Sequence, residues 1–299
     1  MAGKAVAIYG LGAMGFGMAG ALLRAGLTTH GCELNADAAQ RFQSAGGAQS
    51  TLKDAASSIG TVVIVVLNGD QTEAVLFGKD GIAGDLVLGT VVIACATVAP
   101  DVARDLAKRC EALGLLYLDA PVSGGTIRAG EGTLSILASG SVAAFAQAKP
   151  ALDAMASQVF ELGDEVGAGS SMKAVNQMLV GIQIAAMGEA ITFGMTQGVA
   201  PEKFLEIISQ CAGTSWALES RAPHVIAGDY TPLSAVDIWL KDLGIVLDIA
   251  KGAKFGAPLT AAALQQYLAA SGSGLGGQDD AAVAKVYARN AGITLPGES

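Results

Sequence analysis

The sequence predicts an α/β chain in two parts: a doubly wound parallel sheet with helices on both faces, then an all-helical domain reached through one long helix. Three observations predict it. The first half alternates short β-branched runs with helical stretches, and such alternation builds a parallel sheet covered by helices. After about Gly163 the strand runs cease, and from Ser170 the pattern is helical almost to the end. Between them Gly163, Gly167 and Gly169 mark a hinge-like connector, so the boundary is expected between residues 1–164 and 165–299.

The elements follow in order. Residues 5–9 predict a strand, 15–25 a helix and 28–33 a second strand, with helical stretches at 36–44 and 52–58. The run 61–67 is almost purely β-branched, as in a strand buried on both faces. Residues 91–94 and 115–118 repeat that character around a helix at about 100–113, and 134–138 and 159–162 add shorter strands. Ser170 or Ser171 is the expected cap of a helix reaching about residue 197. At about thirty residues against a mean of about 11–12 it reads as an interdomain helix. Helices at about 201–211, 235–252, 258–270 and 280–290 complete the chain, with a loop at 271–277 and no internal repeat.

Composition bounds the function. At 299 residues the chain is long enough for two ordinary domains, and 52% hydrophobic against 15% charged residues fills a core easily. With 5% aromatics, the interior is built from Ala, Val, Leu and Gly. A net charge of −9 argues against a nucleic-acid partner. No run approaches the roughly 20 apolar residues of a membrane span, and the glycine turn interrupts the apolar stretch after Lys4 too early for a secretory signal. Cys32, Cys95, Cys110 and Cys211 lack metal or redox spacing and read as reduced thiols of a cytoplasmic protein. Neither His30 nor His224 lies in a metal-ligand pattern, so no metal is expected.

The first chemistry-bearing motif is Gly10-Leu11-Gly12-Ala13-Met14-Gly15, directly after the apolar run 5–9. A strand, a G-x-G-x-x-G turn and a helix together form a dinucleotide-binding (Rossmann-type) start. Gly10 permits the tight turn, Gly12 lets the backbone approach the pyrophosphate, and Gly15 lets helix and strand pack closely. The helix N-terminus directs its amides and positive dipole end at the anion. Glu33 ends the second predicted strand, where an acidic side chain accepts hydrogen bonds from the adenosine ribose. A carboxylate there repels a 2′-phosphate, and no arginine follows before Arg41, so NAD is favoured over NADP. An ordinary exposed glutamate is the alternative.

The turn extends through Met18 and Ala19. Further on stand Asp119-Ala120-Pro121-Val122-Ser123-Gly124-Gly125, then Gly167, Gly169, Lys173 and Asn176, then Lys241-Asp242. This ordered set resembles the β-hydroxyacid dehydrogenase family, which includes 3-hydroxyisobutyrate dehydrogenase and tartronate semialdehyde reductase. The resemblance covers nearly the whole chain. It implies that Lys173 is catalytic, taking the hydroxyl proton as hydride leaves for the nicotinamide. A lysine with an ordinary pKa of ~10.4 is a poor base at neutral pH, and apolar neighbours (Val175, Met178, Leu179) and oxidised nicotinamide both lower it. A snorkelling lysine is the bland alternative.

The resemblance also implies that the Ser123-Gly124-Gly125 loop binds the substrate carboxylate, with small residues letting consecutive amides converge on an anion. Asn176, three residues past Lys173, faces the same side of the helix, where its amide can bond the substrate hydroxyl or hold the lysine; a helix-surface amide is the alternative. Gln177, also expected at the substrate, stands where the family commonly has a second Asn. Gly10, Leu11, Gly12, Ala13, Met14, Gly15, Glu33, Leu67, Asn68, Thr97 and Lys241 are the implied cofactor contacts. Asn68 replaces a proline common in the family. For Lys241 the alternative is a surface lysine paired with Asp237. Trp216 either lines the substrate side or, as is commoner for a Trp in a helical domain, sits in the core. Arg128 either assists the carboxylate loop or is solvated.

The stretches 212–216, 228–232 and 234–238 resemble the L-threonate dehydrogenase branch. The implied activity is oxidation of a small hydroxy acid with NAD, foremost a four-carbon sugar acid such as L-threonate at C2. The alternatives are 3-hydroxyisobutyrate oxidation, tartronate or succinic semialdehyde reduction, and a non-catalytic NAD-binding sensor. Imine reductases share the architecture, but the resemblance implies that they replace the lysine. The apolar positions Leu179, Ile182, Ile184, Met187 and Ile191 are expected to be exposed on the long helix, and one such face packing against another subunit predicts a homodimer or homotetramer.

Overall fold

The computed structural model describes residues 5–48 and 55–298, and the chain divides into two compact units, residues 1–173 and 174–299. The first unit runs β1 (Ala5–Tyr9), α1 (Ala13–Arg24), β2 (Thr29–Cys32), α2 (Ala36–Ser44), β3 (Ile59–Ile64), α3 (Gly69–Phe77), β4 (Val91–Ala94), α4 (Pro100–Ala112) and β5 (Leu116–Asp119). It continues through β6 (Val122–Ser123), α5 (Gly125–Glu131), β7 (Leu134–Ala138), α6 (Val142–Met155) and β8 (Ala156–Glu161). Residues 52–54 of the helix expected at 52–58 lie outside the described residues; Ala56–Ser58 form a single 3-10 turn.

Five strands pair in parallel in the order β2-β1-β3-β4-β5. The chain leaves β1 for β2 on one side and returns to β3 on the other. The sheet therefore reverses direction at β1/β3, the place where open α/β sheets bind ligands. Strands β6, β7 and β8 form their own small sheet rather than extending the parallel one. One bridge, Asp119–Ser139, links the end of β5 to it.

Alternation along the strands sorts two cores. Val6, Ile8, Val63, Ile93 and Leu118 pack with Met18 and Leu22 of α1 on one face. Ala7, Val62, Ile64 and Val92 pack with Leu106 and Cys110 of α4 on the other. Every residue of β3 is buried; full burial of each such Val or Ile contributes roughly 1.5–3 kcal/mol.

The long helix α7 (Ala168–Thr196) has 29 residues and crosses the 173/174 boundary. It starts two residues before the expected serine cap. Ser170 donates its hydroxyl to Asp119 and Ser171 donates to the Gly167 carbonyl, so neither serves as N-cap. By length and composition α7 could cross a membrane, although polar residues interrupt its apolar ones. Its apolar side chains have another destination, because Ile184, Met187 and Ile191 lie in the core of the second unit. This corrects their expected exposure; Met172, Val175, Leu179 and Phe193 are the exposed large apolar residues of α7.

The second unit continues with α8 (Pro201–Ile208), α9 (Trp216–Ala227), α10 (Val236–Gly252), α11 (Pro258–Ala270) and α12 (Ala284–Ala291). Helix α9 escaped the sequence pattern because Pro223 lies inside it. Its ends are nevertheless well marked. The Ser215 side chain accepts from the Leu218 amide, and Gly228 closes the helix in the left-handed region. The expected loop at 271–277 begins as a π-turn, Ser271–Leu275. Trp239 stacks on Tyr267 at 5.6 Å between ring centroids and donates to buried Asp280 at 2.9 Å. Arg221 Nε meets the other oxygen of Asp280 at 2.5 Å. Burial raises the Asp280 carboxyl to about 6 while Arg221 opposes the shift, so this charge is kept in the core only by its partners.

Candidate functional site

The glycine turn is fixed by sterics at two of its three glycines. Gly10 has φ +87, and a Cβ on it would lie 2.1 Å from the Val65 carbonyl oxygen. A Cβ on Gly15 would lie 1.9 Å from the Gly10 oxygen. Gly12 differs: a Cβ there meets nothing within 4 Å. It is the N-cap of α1 and supplies no side-chain cap. The exposed residues Gly12 and Ala13 thus present the helix start, with its unshared amides, to an anion.

Leu11 turns into the core and is 1% exposed. Its amide donates to Glu33 Oε2 at 2.7 Å, and the Asn35 amide donates to Glu33 Oε1 at 3.0 Å. These bonds, that of Asn35 foremost, hold the Glu33 carboxyl below its ordinary range. An ionised carboxylate therefore stands beside the turn at the end of β2. Open backbone at Gly12, an uncapped helix start and this carboxylate fit a dinucleotide.

The other expected cofactor residues spread along the same sheet. Thr97 is half-buried after β4, and Leu67 is exposed after β3. Asn68 caps α3 by accepting from the Gln71 amide at 2.9 Å, while the Gln71 side chain accepts from the Leu67 amide at 2.8 Å. This reciprocal pair, a relative of the capping box, holds the loop where a proline otherwise would. Met14 is half-buried against the first core.

Ser123 ends β6 and Gly125 opens α5. Gly124 and Gly125 both have positive φ, 130 and 73, and the Arg128 side chain packs against Gly124. Arg128 is itself exposed. Lys173 lies two turns into α7 and is buried, 7% exposed. The start of α7 is held by Asp119, whose carboxylate accepts from the Gly167 and Ser170 amides.

In the second unit four polar groups form a chain. Asn176 Nδ2 donates to Gln177 Oε1 at 2.9 Å, and Gln177 Nε2 donates to Asp242 Oδ2 at 2.5 Å. Lys241 Nζ meets Asp242 Oδ1 at 2.6 Å. Gln177 is buried, whereas Asn176 is half-buried. Lys241 thus pairs with its neighbour Asp242. Trp216 is 56% exposed at the first residue of α9, not in the core; Trp239 is the core tryptophan.

Sequence reading assigned no role to Asp119 or Asp242, although both lie in the quoted motifs. Each carried a signal: one acid ends an apolar strand run, the other interrupts an apolar helix face. Such an acid is buried only with donors to satisfy it.

Comparison with known proteins agrees with this geometry. Residues 5–163 match the NAD binding domain of 6-phosphogluconate dehydrogenase. Residues 167–287 match the NAD-binding domain of NADP-dependent 3-hydroxyisobutyrate dehydrogenase. The chain is 48% identical over 295 residues to L-threonate dehydrogenase of Cupriavidus necator, covering 98% of each. It is 42% identical over 294 residues to L-threonate dehydrogenase of Pectobacterium atrosepticum, covering 98% of this chain and 96% of that one. The crystal structure of 3-hydroxyisobutyrate dehydrogenase from Salmonella typhimurium superposes with a TM-score of 0.88 at 43% identity, covering 94% of this chain and 99% of that one. With an NAD(P)-binding domain, a buried lysine in the motif order, and relatives matched end to end, the chain belongs to the 3-hydroxyisobutyrate dehydrogenase-like, or β-hydroxyacid dehydrogenase, family of oxidoreductases acting on CH–OH groups.

Proposed function

We propose that this chain oxidises L-threonate at C2, using NAD. The observation that carries the reading is the burial of Lys173. Burial holds the side chain in one place, as a group that must accept the substrate hydroxyl proton requires. Bound NAD would supply the hydride acceptor at C2. Lys173 Nζ takes the hydroxyl proton as the C2–H bond breaks, and the product is the 2-keto acid. In the reverse direction the ammonium donates that proton. Ser123 and the amides of Gly124 and Gly125 hold the substrate carboxylate. Asn176, with its amide oriented by Gln177, reads the hydroxyl-bearing chain, and Lys241 serves the cofactor.

The substrate rests on the two L-threonate dehydrogenases matched over 98% of this chain and on the half-buried amide of Asn176, which suits a polyhydroxylated chain better than a methyl-branched one. An absorbance assay of cofactor reduction against C3–C5 hydroxy acids tests it. L-threonate is expected to give the highest kcat/KM; a higher value for 3-hydroxyisobutyrate would transfer the assignment to that substrate.

The preference for NAD rests on the ionised carboxylate of Glu33. Glu33→Gln keeps an acceptor for the Leu11 amide and removes the charge that repels a 2′-phosphate. The ratio of kcat/KM with NADP to that with NAD is expected to rise about tenfold or more, equivalent to about 1.4 kcal/mol. An unchanged ratio would show that Glu33 does not select the cofactor. We also propose a homodimer or homotetramer, on the exposed Phe193 beside Tyr287 and Ala291 on α7 and α12. Light scattering at micromolar concentration is expected to exceed the mass of one chain, and a monomer would refute it.

A further inference from the structure

We propose that Asp119 is a positioning residue for Lys173: it caps the start of α7 from a distant strand and so sets where the lysine stands. The inference rests on the reading of Lys173 as the proton-transfer group.

The first amides of any helix lack intrahelical partners and are usually met by a side chain immediately upstream. Here the cap comes from the end of β5, about fifty residues earlier. Asp119 Oδ2 accepts from the Gly167 amide at 3.1 Å and the Ser170 amide at 2.8 Å. Oδ1 accepts from the Ser170 hydroxyl at 2.7 Å. The Gly169 amide donates to Ser139 Oγ at 3.0 Å. A Cβ on Gly169 would come within 2.6 Å of the Leu137 and Asp119 carbonyl oxygens, so the helix start lies directly on β5 and β7.

Asp119 is itself immobile. It is 1% exposed, and its backbone exchanges two hydrogen bonds with Ser139, at 3.0 and 2.9 Å. Burial raises its carboxyl while the donors from Ser170 and Gly167 oppose the shift; charge held at a helix start is also favoured by the dipole. Lys173 follows Ser170 by three residues, one helical turn. The carboxylate loop Ser123–Gly125 begins four residues after Asp119, and the Leu137 amide holds it at the Pro121 carbonyl, 2.9 Å. One carboxylate therefore ties the lysine helix and the carboxylate loop to the same strand end.

Asp119→Ala, Asp119→Asn, Ser170→Ala and Lys173→Ala test this, with L-threonate and its C2-deuterated form. Asp119→Ala is expected to lower kcat per folded molecule about 10²-fold, the cost of a misplacement of about 1 Å. The KM for NAD should stay within about twofold, since binding there does not use Asp119. The isotope effect on kcat should increase, because misplacing Lys173 slows the chemical step alone. Partial unfolding lowers kcat without moving the isotope effect, and circular dichroism measures the folded fraction. The asparagine keeps an oxygen for the two amides and lets the Ser170 hydroxyl accept instead of donate, so it should recover most of the loss. Wild-type kcat and isotope effect in Asp119→Ala would overturn the proposal. If that variant does not fold, Ser170→Ala decides: a kcat loss with an altered isotope effect supports it, and wild-type behaviour overturns it. Activity retained in Lys173→Ala would instead overturn the reading of the lysine, whatever Asp119 does.

Discussion

Replacing Lys173 with alanine is expected to lower kcat for L-threonate oxidation by about 10²–10⁴, the range a positioned proton-transfer group contributes. Without it the C2 hydroxyl must lose its proton to water while hydride departs, so the alkoxide character of the transition state goes unsupported. NAD affinity should be unchanged, because the glycine turn and Glu33 are built from β1, α1 and the end of β2 and hold each other directly. Lys173→Arg separates charge from proton transfer. Arginine remains protonated at any assay pH, so it preserves a cation and offers no base. The arginine variant should be about as inactive as the alanine variant in the oxidation direction. Activity within tenfold of wild type in either variant, measured as initial rates at saturating NAD and L-threonate, would remove Lys173 from the proton-transfer role.

The two halves of the candidate site were legible in the sequence to different depths. The glycine turn was readable because its signal is local: a strand, three glycines at fixed spacing and a helix all fall within 5–24. Strands β1, β4 and β7 occupy the expected residues for the same reason. Lys173 was readable only through motif order; nothing in its flanks distinguishes it from a lysine that snorkels to water. What spacing does not carry is partnership across the chain. Asp119 meets Ser170 across 51 residues, and Gln177 meets Asp242 across 65. A pattern of apolar positions is silent about which buried acid satisfies which amide. The exposure of α7 was misjudged for a related reason. Its apolar residues continue around the helix, so periodicity does not single out the face that carries Ile184, Met187 and Ile191 into the core. Helix α9 carries Pro223 in its interior, which breaks the helical pattern, while Ser215 and Gly228 bound it. The turn between β3 and α3 lacked the usual proline, yet the Asn68–Gln71 pair closes it by hydrogen bonds instead.

The three glycines of the turn are expected to fail in two different ways, and the contrast tests whether the turn binds the cofactor or merely folds the chain. Gly10→Ala places a methyl at φ +87, where an L-residue pays roughly 1–2 kcal/mol. It also places that methyl 2.1 Å from the Val65 carbonyl oxygen, backbone of the segment after β3 that cannot rotate away. Overpacking of this kind costs about 1–3 kcal/mol or more, for a combined loss of about 2–5 kcal/mol. At about 2–4 °C per kcal/mol, the melting temperature of this unit should fall by roughly 4–20 °C. Gly12→Ala makes no such demand. Its φ of −64 suits any residue, and the added methyl meets no protein atom within 4 Å. The melting temperature should hold within about 2 °C, because an exposed substitution free of strain changes stability by no more than about 0.5 kcal/mol. The space the methyl fills is the approach to the uncapped start of α1, where the pyrophosphate needs bare backbone. The Kd for NAD, followed by nucleotide fluorescence, should therefore rise by about tenfold or more, while L-threonate turnover at saturating NAD changes less. If Gly12→Ala bound NAD as tightly as wild type, the pyrophosphate would have to lie elsewhere, and the open face of the turn would need another occupant.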